Sequence, residues 1–381
     1  MKRALLVTHV SGFVPQFEMN NVRILQNMGY EVHYASNFHN PSYGDDNSRL
    51  DGTGIICHQI DFARSPLKYQ NLTAYRQLTR LMKEMQFHLV HCHTPVGGVL
   101  ARLAAHKTHT GPVVYTAHGF HFFTGAPLLN WMIYYPVECF LAKYTDLLIT
   151  INEEDYKRAQ KFPAKRVRRI HGVGMALGIE TQLSDAQVEM QKESMGLKLS
   201  DFIIVSAGEL NANKNQIMVL EALTKIRKQN YCYLVCGKGP LQKKLEEYVK
   251  NHFMEEFVCF LGYRKDLDRI LQLADLFVMP SKREGMPTAV MEAMKYKLPV
   301  IGTNIRGNNE LIVDGETGYL VAGNAIEDMA EKIEKMMEEP LLKKQMGENA
   351  RKRLKEYSSE IVKHEMENNY KEVIGAAKED K

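Results

Sequence analysis

The length, composition and charge of the chain predict a folded protein with two domains. Its 381 residues exceed one ordinary domain and fit two of about 150 to 200 residues each. A hydrophobic content of 45% with 25% charged residues excludes a chain too polar to form cores. The six cysteines form no C-x-x-C pair, so we predict reduced core residues in a cytoplasmic protein. No apolar window approaches the length that crosses a bilayer.

The first half alternates short apolar runs with amphipathic stretches. This alternation predicts a parallel, doubly wound α/β sheet, because parallel strands need helical connections. The predicted strands are residues 4–10, 31–36, 54–59, 89–93, 113–118 and 147–151. The predicted helices are residues 18–28, 74–85, 96–107, 128–143 and 153–161.

The second half repeats the alternation after a glycine-rich interruption at residues 171–196. The predicted strands are residues 202–207, 231–236, 258–261, 276–280 and 319–321, with a further one ending at Gly302. The predicted helices are residues 216–228, 241–252, 267–273, 288–297, 326–357 and 361–374. We therefore predict an N-terminal domain of residues 1–172 and a C-terminal domain of residues 173–358. Residues 359–381 are expected to pack back on the first.

Residues 276–302 carry the strongest local signal. An apolar strand is followed by a loop with Gly and Pro and by a short helix, for which Thr288 is the predicted cap. Glu284 lies in the loop and Glu292 about one turn into the helix. The carboxyl edge of a parallel strand and the start of a helix together favour an anion, so the pattern predicts a phosphate beside two carboxylates that suit sugar hydroxyls.

Several motifs in order resemble a retaining GT-B glycosyltransferase of the family 4 type. They are Glu284-x7-Glu292, GKGP at residues 237–240, FLGY at 260–263, ADLFVMPS at 274–281 and NELIVDGETGYLV at 309–321. In the first half, HTPVGGVLARLAA, VVYTAHGFHFF and ITINEEDYKRA are similar to the subgroup found in bacterial exopolysaccharide and capsule clusters. The likeness covers nearly the whole chain. It implies two Rossmann-like domains that face each other across a cleft.

The resemblance implies a role for individual residues. Glu292 would accept hydrogen bonds from the ribose of a nucleotide diphosphate sugar, and Glu284 would face the hydroxyls of the donated sugar. Lys214 matches the phosphate-binding lysine, whose charge would stabilise the departing diphosphate. His118 matches a position near the transferred sugar. Glu284, Lys214 and His118 are thus the expected catalytic residues.

The other donor-binding positions follow from the same resemblance. Tyr263 and Arg264 match the place where the nucleobase is held. The backbone positions expected near the pyrophosphate or the sugar are Gly12, Gly237, Gly285, Met286, Thr288 and Ala289.

The chain departs from the family pattern at three places. The arginine that usually shares the diphosphate with the lysine is Glu209 here, so either Lys214 works with another cation or the donor is held differently. The glycine pair after the first strand is reduced to Ser11 and Gly12. The segment that usually ends in an acidic residue ends in Ala176.

We predict that no metal is required. Two pairs of histidines, His91 with His93 and His118 with His121, lie at strand ends that could converge, but a metal site needs three or four ligands at fixed distances. The D-x-D spacing at Asp266 opens a helix, so capping is the preferred account of that residue.

Two features suggest a peripheral contact with an anionic membrane. Seven of the 13 residues from 157 to 169 are Lys or Arg, for which a solvated helix face is the alternative explanation. Aromatic side chains crowd residues 120–135, including the only tryptophan. They are not interleaved with the basic residues, so nucleic acid is not an expected partner.

These observations lead to a functional hypothesis. The chain is expected to be a hexosyltransferase that moves a hexose or N-acetylhexosamine from a UDP-sugar to a saccharide or polyprenyl-linked acceptor in surface polysaccharide synthesis. It would act in the cytoplasm or at the inner face of the membrane. One alternative is a UDP-N-acetylhexosamine 2-epimerase. The other is a non-catalytic nucleotide-sugar-binding subunit, and the glutamate at position 209 is the feature that keeps this second alternative open.

Overall fold

Two parallel sheets, each covered by helices, organise the chain. The structure is a computed structural model that describes residues 1–42, 46–179, 181–228 and 230–379. The chain divides into two compact units, Met1–Gly174 with Ser359–Lys381, and Met175–Ser358. They are called the N-terminal and C-terminal units below.

The N-terminal unit contains a seven-stranded parallel sheet in the order β3-β2-β1-β4-β5-β6-β7. Its strands are β1 (Lys2–Val7), β2 (Tyr30–Ser36), β3 (Ile56–Gln59), β4 (Leu89–His93), β5 (Val113–Ala117), β6 (Leu147–Thr150) and β7 (Val167–Arg169). The helices between them are α1 (Met19–Asn27), α2 (Gln70–Met85), α3 (Pro95–Thr108), α4 (Leu128–Ala142) and α5 (Glu153–Ala159). One π-helical turn, Val14–Glu18, leads into α1.

The C-terminal unit contains a six-stranded parallel sheet in the order β10-β9-β8-β11-β12-β13. Its strands are β8 (Phe202–Ala207), β9 (Tyr231–Cys236), β10 (Val258–Gly262), β11 (Leu276–Met279), β12 (Val300–Thr303) and β13 (Gly318–Val321). Its helices are α6 (Asp185–Ser194), α7 (Ile217–Leu223), α8 (Gln242–Asn251), α9 (Leu267–Leu273), α10 (Thr288–Lys295), α11 (Asn308–Leu311), α12 (Ile326–Glu338) and α13 (Pro340–Arg353), followed by a 3-10 turn, Leu354–Tyr357.

The last helix, α14 (Ser359–Glu379), packs on the N-terminal unit beside α1, as predicted. The hydroxyl of Tyr370 on this helix lies 2.7 Å from Nδ1 of His91 on β4. The carboxylate of Glu365 accepts a 3.0 Å hydrogen bond from the backbone N–H of His171. Residues 380 and 381 of the predicted segment lie outside the described residues.

The predicted α/β class with two Rossmann-like, parallel-sheet domains is confirmed. The strand β7 was missed because its three residues lie inside the basic run and pair only with β6, at the edge of the sheet. The predictions for Thr288 and Cys57 were wrong. Thr288 is the first residue of α10 and Pro287 precedes it without a side-chain cap, and Cys57 on the edge strand β3 is exposed rather than part of the core.

A buried charge network connects α3, α4 and β5. Arg102 is completely buried and donates a 2.8 Å hydrogen bond from Nη2 to Oε2 of Glu138. Its guanidinium carbon lies 3.9 Å from the centre of the Tyr115 ring, and the Tyr115 hydroxyl donates to the other oxygen of Glu138 at 3.2 Å. The ring needs Gly98 on α3, because a Cβ there would come within 2.6 Å of it. Glu138 is thereby held on the inner face of α4.

Replacing Glu138 by Leu should strongly destabilise the N-terminal unit, because it leaves the Arg102 charge buried without a counterion. Removing one partner of a buried ion pair typically costs about 3 to 5 kcal/mol. Urea unfolding followed by fluorescence of Trp131, the only tryptophan of the chain and a residue of α4, measures the loss. Glu84→Leu, which removes the exposed partner of Arg80, is the matched control and should change stability by less than about 1 kcal/mol. The double variant Arg102→Met/Glu138→Leu should recover most of the loss; an equally unstable double variant would contradict this account.

Candidate active site

The loops after β8 and β11 meet because these strands are neighbours in the C-terminal sheet. β8 pairs with β11 on one side and with β9 on the other, so the strand order reverses between β8 and β11. In an open parallel sheet, ligands bind outside the carboxyl ends of the strands at this reversal. Lys214 follows β8 and Glu284 follows β11, and Nζ of the lysine lies 2.7 Å from Oε1 of the glutamate. The side chains are 22% and 12% exposed, so the pair is largely shielded from water.

Hydrogen bonds between the two loops make them one structural unit. The side-chain amide of Asn213 donates to the carbonyl of Arg283 at 3.0 Å, and the backbone N–H of Lys282 donates to the carbonyl of Asn213 at 2.7 Å. Asn215 donates to the carbonyl of Pro280 at 3.2 Å. These contacts flank the pair of Lys214 with Glu284 and hold both side chains at the sheet edge.

Two glycines allow the close approach of the loops after β8 and β9. A Cβ at Gly237 would lie 1.9 Å from the carbonyl oxygen of Gly208, and Gly237 has a positive φ of 152°. A Cβ at Gly208 would lie 3.1 Å from Cε of Lys214. The absence of a side chain at Gly237 is therefore explained by contact with its neighbouring loop, and the absence at Gly208 leaves room for the lysine.

Glu292 lies on α10, with Gly285, Met286, Thr288 and Ala289 in the preceding loop and the first turn of the helix. Burial raises the pKa of the Glu292 carboxyl to about 7; Lys295 opposes the shift and Asp268 adds to it. A buried carboxyl of this kind is typical of a functional site, because folding alone would favour a neutral residue there.

Arg306 is a site residue that the sequence analysis missed. It is buried on the loop after β12, the strand that pairs with β11, and its Nε donates to the carbonyl of Glu284 at 3.1 Å. Gly307 follows it with a φ of 86°, and a Cβ there would lie 2.8 Å from the carbonyl oxygen of Gly285. Arg306 thus places a cation beside the Glu284 loop, whereas the side chain of Glu209 is exposed.

Tyr263 and Arg264 lie on the turn after β10. Tyr263 is 65% exposed. The guanidinium of Arg264 binds both carboxylate oxygens of Asp266, at 2.8 and 2.7 Å, and lowers the pKa of that carboxyl. The prediction that the Asp266 side chain caps α9 was wrong, since it makes no capping hydrogen bond.

In the N-terminal unit, His118 meets two side chains at the carboxyl edge of the sheet. Its Nε2 lies 3.3 Å from Oε1 of Glu18 and 3.1 Å from Nδ1 of His93. Glu18 and His93 are buried, and Asn21 donates a 2.5 Å hydrogen bond to the second oxygen of Glu18. Burial lowers the pKa of His93 well below its ordinary value, with His91 and His118 adding to the shift, so His93 is neutral.

The same strand-order reversal that operates in the C-terminal sheet creates this cluster. β1 pairs with both β2 and β4, and β4 pairs with β5. Glu18 follows β1, His93 ends β4 and His118 follows β5. Sequence reasoning missed Glu18 because nothing near it marks a motif; only the position of β1 in the middle of the sheet brings it to the histidines.

Glu18, His93 and His118 could hold a metal ion, since their three ligand atoms lie within 4.8 Å of one another. A histidine ligand normally donates its second ring N–H to a fixed acceptor. Within the described part of the chain, Nε2 of His93 is buried without a hydrogen-bond partner. Both ring nitrogens of His91 are engaged, with Tyr370 and Thr116. The arrangement therefore favours a hydrogen-bonded cluster, in which Glu18 and His93 orient His118, rather than a metal centre.

The backbone of Gly12 lies against the backbone of Pro41 and Ser42. A Cβ at this position would lie 1.8 Å from the carbonyl oxygen of Ser42 and 2.1 Å from that of Pro41. The lack of a side chain is needed for this crossing of two backbone segments.

Most cations of the basic run at residues 157–169 lie beside an acid. Six of its seven cations lie within 4 Å of a carboxylate: Lys157 and Arg169 at Glu153, Arg158 at Glu154, Lys165 at Asp146, and Arg166 and Arg168 at Glu372. The aromatic residues 120 and 122 are buried in the core. The other aromatic residues of the crowded segment, Phe123, Trp131, Tyr134 and Tyr135, are partly exposed, so the predicted contact with a membrane stays a prediction.

Comparison with known proteins identifies the class of this two-domain chain. Residues 187–353 match the family of glycosyl transferases group 1, and residues 2–152 match the glycosyl transferase 4-like family. The GT-B fold is shared with Anabaena Alr3699/HepE in a crystal structure with UDP and glucose, at a TM-score of 0.81 and 16% identity, covering 98% of this chain and 100% of that one. The fold and the matched domains are thus those of a glycosyltransferase.

Two bacterial relatives narrow the class. The chain is 37% identical to the putative glycosyltransferase EpsD of Bacillus subtilis, with 97% of this chain and 96% of that protein covered. It is 27% identical to the UDP-Gal:alpha-D-GlcNAc-diphosphoundecaprenol alpha-1,3-galactosyltransferase of Escherichia coli, with 90% and 88% covered. The chain therefore belongs to the group 1 glycosyltransferases.

Glu292→Gln should stabilise the C-terminal unit above neutral pH. The raised pKa means that this carboxyl contributes stability below its ordinary pKa of 4.5, and that the contribution is lost as the pH rises towards 7. Glutamine never ionises, so the melting temperature of the variant should exceed that of the wild type at about pH 8 and approach it near pH 4.5. Calorimetric melting across this range measures the difference, with the exposed Glu247→Gln as control. A variant that melts below the wild type at the higher pH would contradict a buried, costly carboxylate.

Proposed function

We propose that this glycosyltransferase moves a hexose or N-acetylhexosamine from a UDP-sugar to a lipid-linked saccharide, with retention of configuration, in the synthesis of a bacterial surface polysaccharide. The observation that carries the proposal is the pair of Lys214 with Glu284 at the strand-order reversal, close in sequence to the buried carboxyl of Glu292. A cation for a diphosphate and two carboxylates for sugar hydroxyls are the groups that a nucleotide-sugar donor requires.

In the proposed donor complex, Glu292 accepts hydrogen bonds from the ribose and Glu284 from the transferred sugar. Lys214 turns from Glu284 towards the diphosphate, where its charge meets the negative charge that develops on the leaving group. Backbone groups at Gly285, Met286, Thr288 and Ala289 contact the pyrophosphate or sugar, helped by the positive end of the α10 dipole. The remaining contacts are Tyr263 and Arg264 at the base, and Gly12 and Gly237 where the backbone approaches the donor.

The buried Arg306 supplies the second cation, which the family pattern has as an arginine where this chain has Glu209. Its hydrogen bond to the Glu284 carbonyl means that it acts through the position of that loop and through its field. Of the two alternatives that the sequence left open, the proposal adopts the one in which Lys214 works with another cation.

The proposed reaction uses no metal and no covalent intermediate on the protein. The acceptor hydroxyl attacks the anomeric carbon from the side of the departing diphosphate, whose oxygen helps to remove the proton. Catalysis is then positioning together with electrostatic stabilisation of the leaving group. On the N-terminal unit, His118 contacts the sugar, and Glu18 and His93 hold its imidazole in place.

The acceptor and the location rest on the relative from Escherichia coli, whose name specifies a diphosphoundecaprenol-linked acceptor and a UDP-sugar. An acceptor of this kind is anchored in a membrane while its saccharide is in water. The proposed place of action is therefore the inner face of the cytoplasmic membrane. Both relatives described above are named as glycosyltransferases, which argues against the epimerase and the binding subunit.

The proposal is tested by incubating the full chain with UDP-, GDP- and ADP-sugars, with and without a lipid-linked saccharide, and measuring nucleoside diphosphate release. Release of UDP that requires the acceptor is expected. Conversion of one UDP-sugar into its epimer without an acceptor would establish the isomerase instead. Binding of the donor with neither reaction would establish the non-catalytic subunit.

Lys214→Ala should lower turnover more than donor affinity, because the leaving diphosphate carries more charge in the transition state than in the bound donor. A loss of about 100-fold or more in kcat is expected, of the size seen when one stabilising donor is removed from a charged transition state. Lys225→Ala, an exposed lysine of the same unit, is the matched control and should retain full activity. Titration calorimetry with UDP gives the affinity, and a fall in affinity with unchanged kcat would contradict the assigned role.

A further inference from the structure

The outer face of α4 is a continuous apolar surface. Seven exposed side chains form it, here called the α4 stripe: Leu128, Leu129, Met132, Ile133, Pro136, Val137 and Phe140. Met132 is 74% exposed and Leu128 81%. These positions repeat at intervals of one and three residues, so they cover about half of the helix circumference over roughly 18 Å of its length.

The stripe contains no charged group. Residues 125–142 hold a single ionisable acid, Glu138, and its carboxylate is turned inward to Arg102. An exposed helix of a globular protein normally carries charged residues on its outer face. A contiguous apolar surface of this kind marks a place where another apolar phase is bound.

The charges around the stripe are mostly positive. The ammonium of Lys143 lies 5.7 Å from the centre of the Phe140 ring, and Tyr144, whose ring contacts Phe140, is stacked on His106. On the neighbouring helices α2 and α3, the exposed charged residues are Arg76, Arg80, Lys83 and Lys107 against the single acid Glu84. The helices α2, α3 and α4 all connect strands in the same direction across the sheet, which places them on the same face.

A second exposed apolar group lies on this face at the start of α2. Leu67, Tyr69 and Leu72 are 94%, 82% and 65% exposed, with Lys68 among them. Since neighbouring helices lie about 8 to 10 Å apart, the two groups are separated by roughly 20 Å across α3. Two apolar groups on one cationic face suit a broad, flat partner better than a narrow groove.

We propose that the α4 stripe is a membrane-docking surface that inserts into the interfacial region of an anionic lipid bilayer. An amphipathic helix with an apolar face and cationic borders lies in the plane of the interface, with its apolar side chains about 5 to 10 Å deep. The adjacent lysine and arginine side chains meet the lipid phosphates. The inference stands on the exposed residues of α2 to α4 and does not depend on which sugar is transferred.

A second copy of the chain fits this surface less well. In a two-fold dimer the same face meets itself, so the positive borders of both copies would be brought together. Like charges brought face to face disfavour such a contact. An anionic bilayer offers both an apolar phase and the opposite charge.

The surface also bears on the active site. The loop that begins at His118 continues directly into α4 ten residues later. Docking of α4 holds this edge of the N-terminal sheet at the membrane. The further step, that this edge of the sheet meets a lipid-linked acceptor at the membrane, is the one step that rests on the proposed function.

Flotation of the full chain with lipid vesicles tests the proposal. The vesicles contain phosphatidylethanolamine and phosphatidylglycerol, and vesicles of phosphatidylcholine alone serve as the uncharged reference. The wild type should float with the anionic vesicles and more weakly with the reference. Leu129→Glu/Met132→Glu should lower vesicle affinity by about tenfold or more, because two charges enter the apolar stripe. Both side chains are exposed, so melting should be unchanged.

The matched control replaces two equally exposed apolar residues of the C-terminal unit. Met190 and Leu341 are 69% and 84% exposed, and Met190→Glu/Leu341→Glu adds the same charge to the protein. This control should float like the wild type. A part of the binding should survive about 1 M salt, where the Debye length falls to about 3 Å, because burial of apolar surface is not screened.

Three results would overturn the proposal. The first is a wild type that binds neither vesicle. The second is an α4 variant that floats like the wild type while salt abolishes the binding, which would assign the contact to the cations alone. The third is a wild type that forms a dimer and binds no vesicles, with the α4 variant monomeric. This result would make a second copy of the chain the occupant of the stripe.

The two proposals fail separately. UDP release with a water-soluble saccharide acceptor reports the transfer reaction without a membrane, and the α4 variant should retain it. Loss of flotation with full transfer to the soluble acceptor would therefore leave the proposed function intact. Flotation without any transfer would overturn the function and leave the docking surface.

Discussion

The right-handed crossover of parallel strands is the constraint on which both units depend. Each sheet begins in its middle, at β1 or β8, grows to one side and then returns to the other side through β4 or β11. The loops on either side of that reversal leave the same edge of the sheet next to each other. In the C-terminal unit they bring Lys214 to Glu284, and in the N-terminal unit they bring Glu18 to His93 and His118.

The two carboxylates of the candidate site in the C-terminal unit, Glu284 and Glu292, lie in different electrostatic environments. Lys214 and Glu284 neutralise each other, so neither charge at this sheet edge is left without a counterion. Among the described residues Glu292 forms no ion pair of this kind, and burial raises the pKa of its carboxyl to about 7. Hydrogen-bond donors on a bound ligand would stabilise the ionised form of such a carboxyl, which is a physical reason to expect it at a binding site.

Charge density along the sequence was a poor guide to the outer surface. The run at residues 157–169 is the most basic part of the chain, yet six of its seven cations lie beside four acids, which come from α5, α14 and the residue before β6. The segment at 125–142 has almost no charge, and its apolar residues divide between the core and the exterior. The hydropathy pattern of α4 cannot tell which half faces outward, because both halves are apolar. Among the described residues, no helix has both the length and the apolar character that would carry it across a bilayer.

The alternation of strands and helices, and hence the two parallel sheets, follows from the amino-acid sequence, because the apolar periods of both elements are local properties. The strand and loop pattern of residues 276–302 also predicted a site with Glu284 and Glu292, whereas Lys214 was predicted from the resemblance to the family. Only the tertiary structure decided that Glu18 joins His93 and His118 and that Arg306 supports the Glu284 loop, because these partners are brought together by strand order across tens of residues. It likewise decided that Asp266 pairs with Arg264 instead of capping a helix. Pairing of this kind depends on where a long side chain can reach, which neither spacing nor composition records.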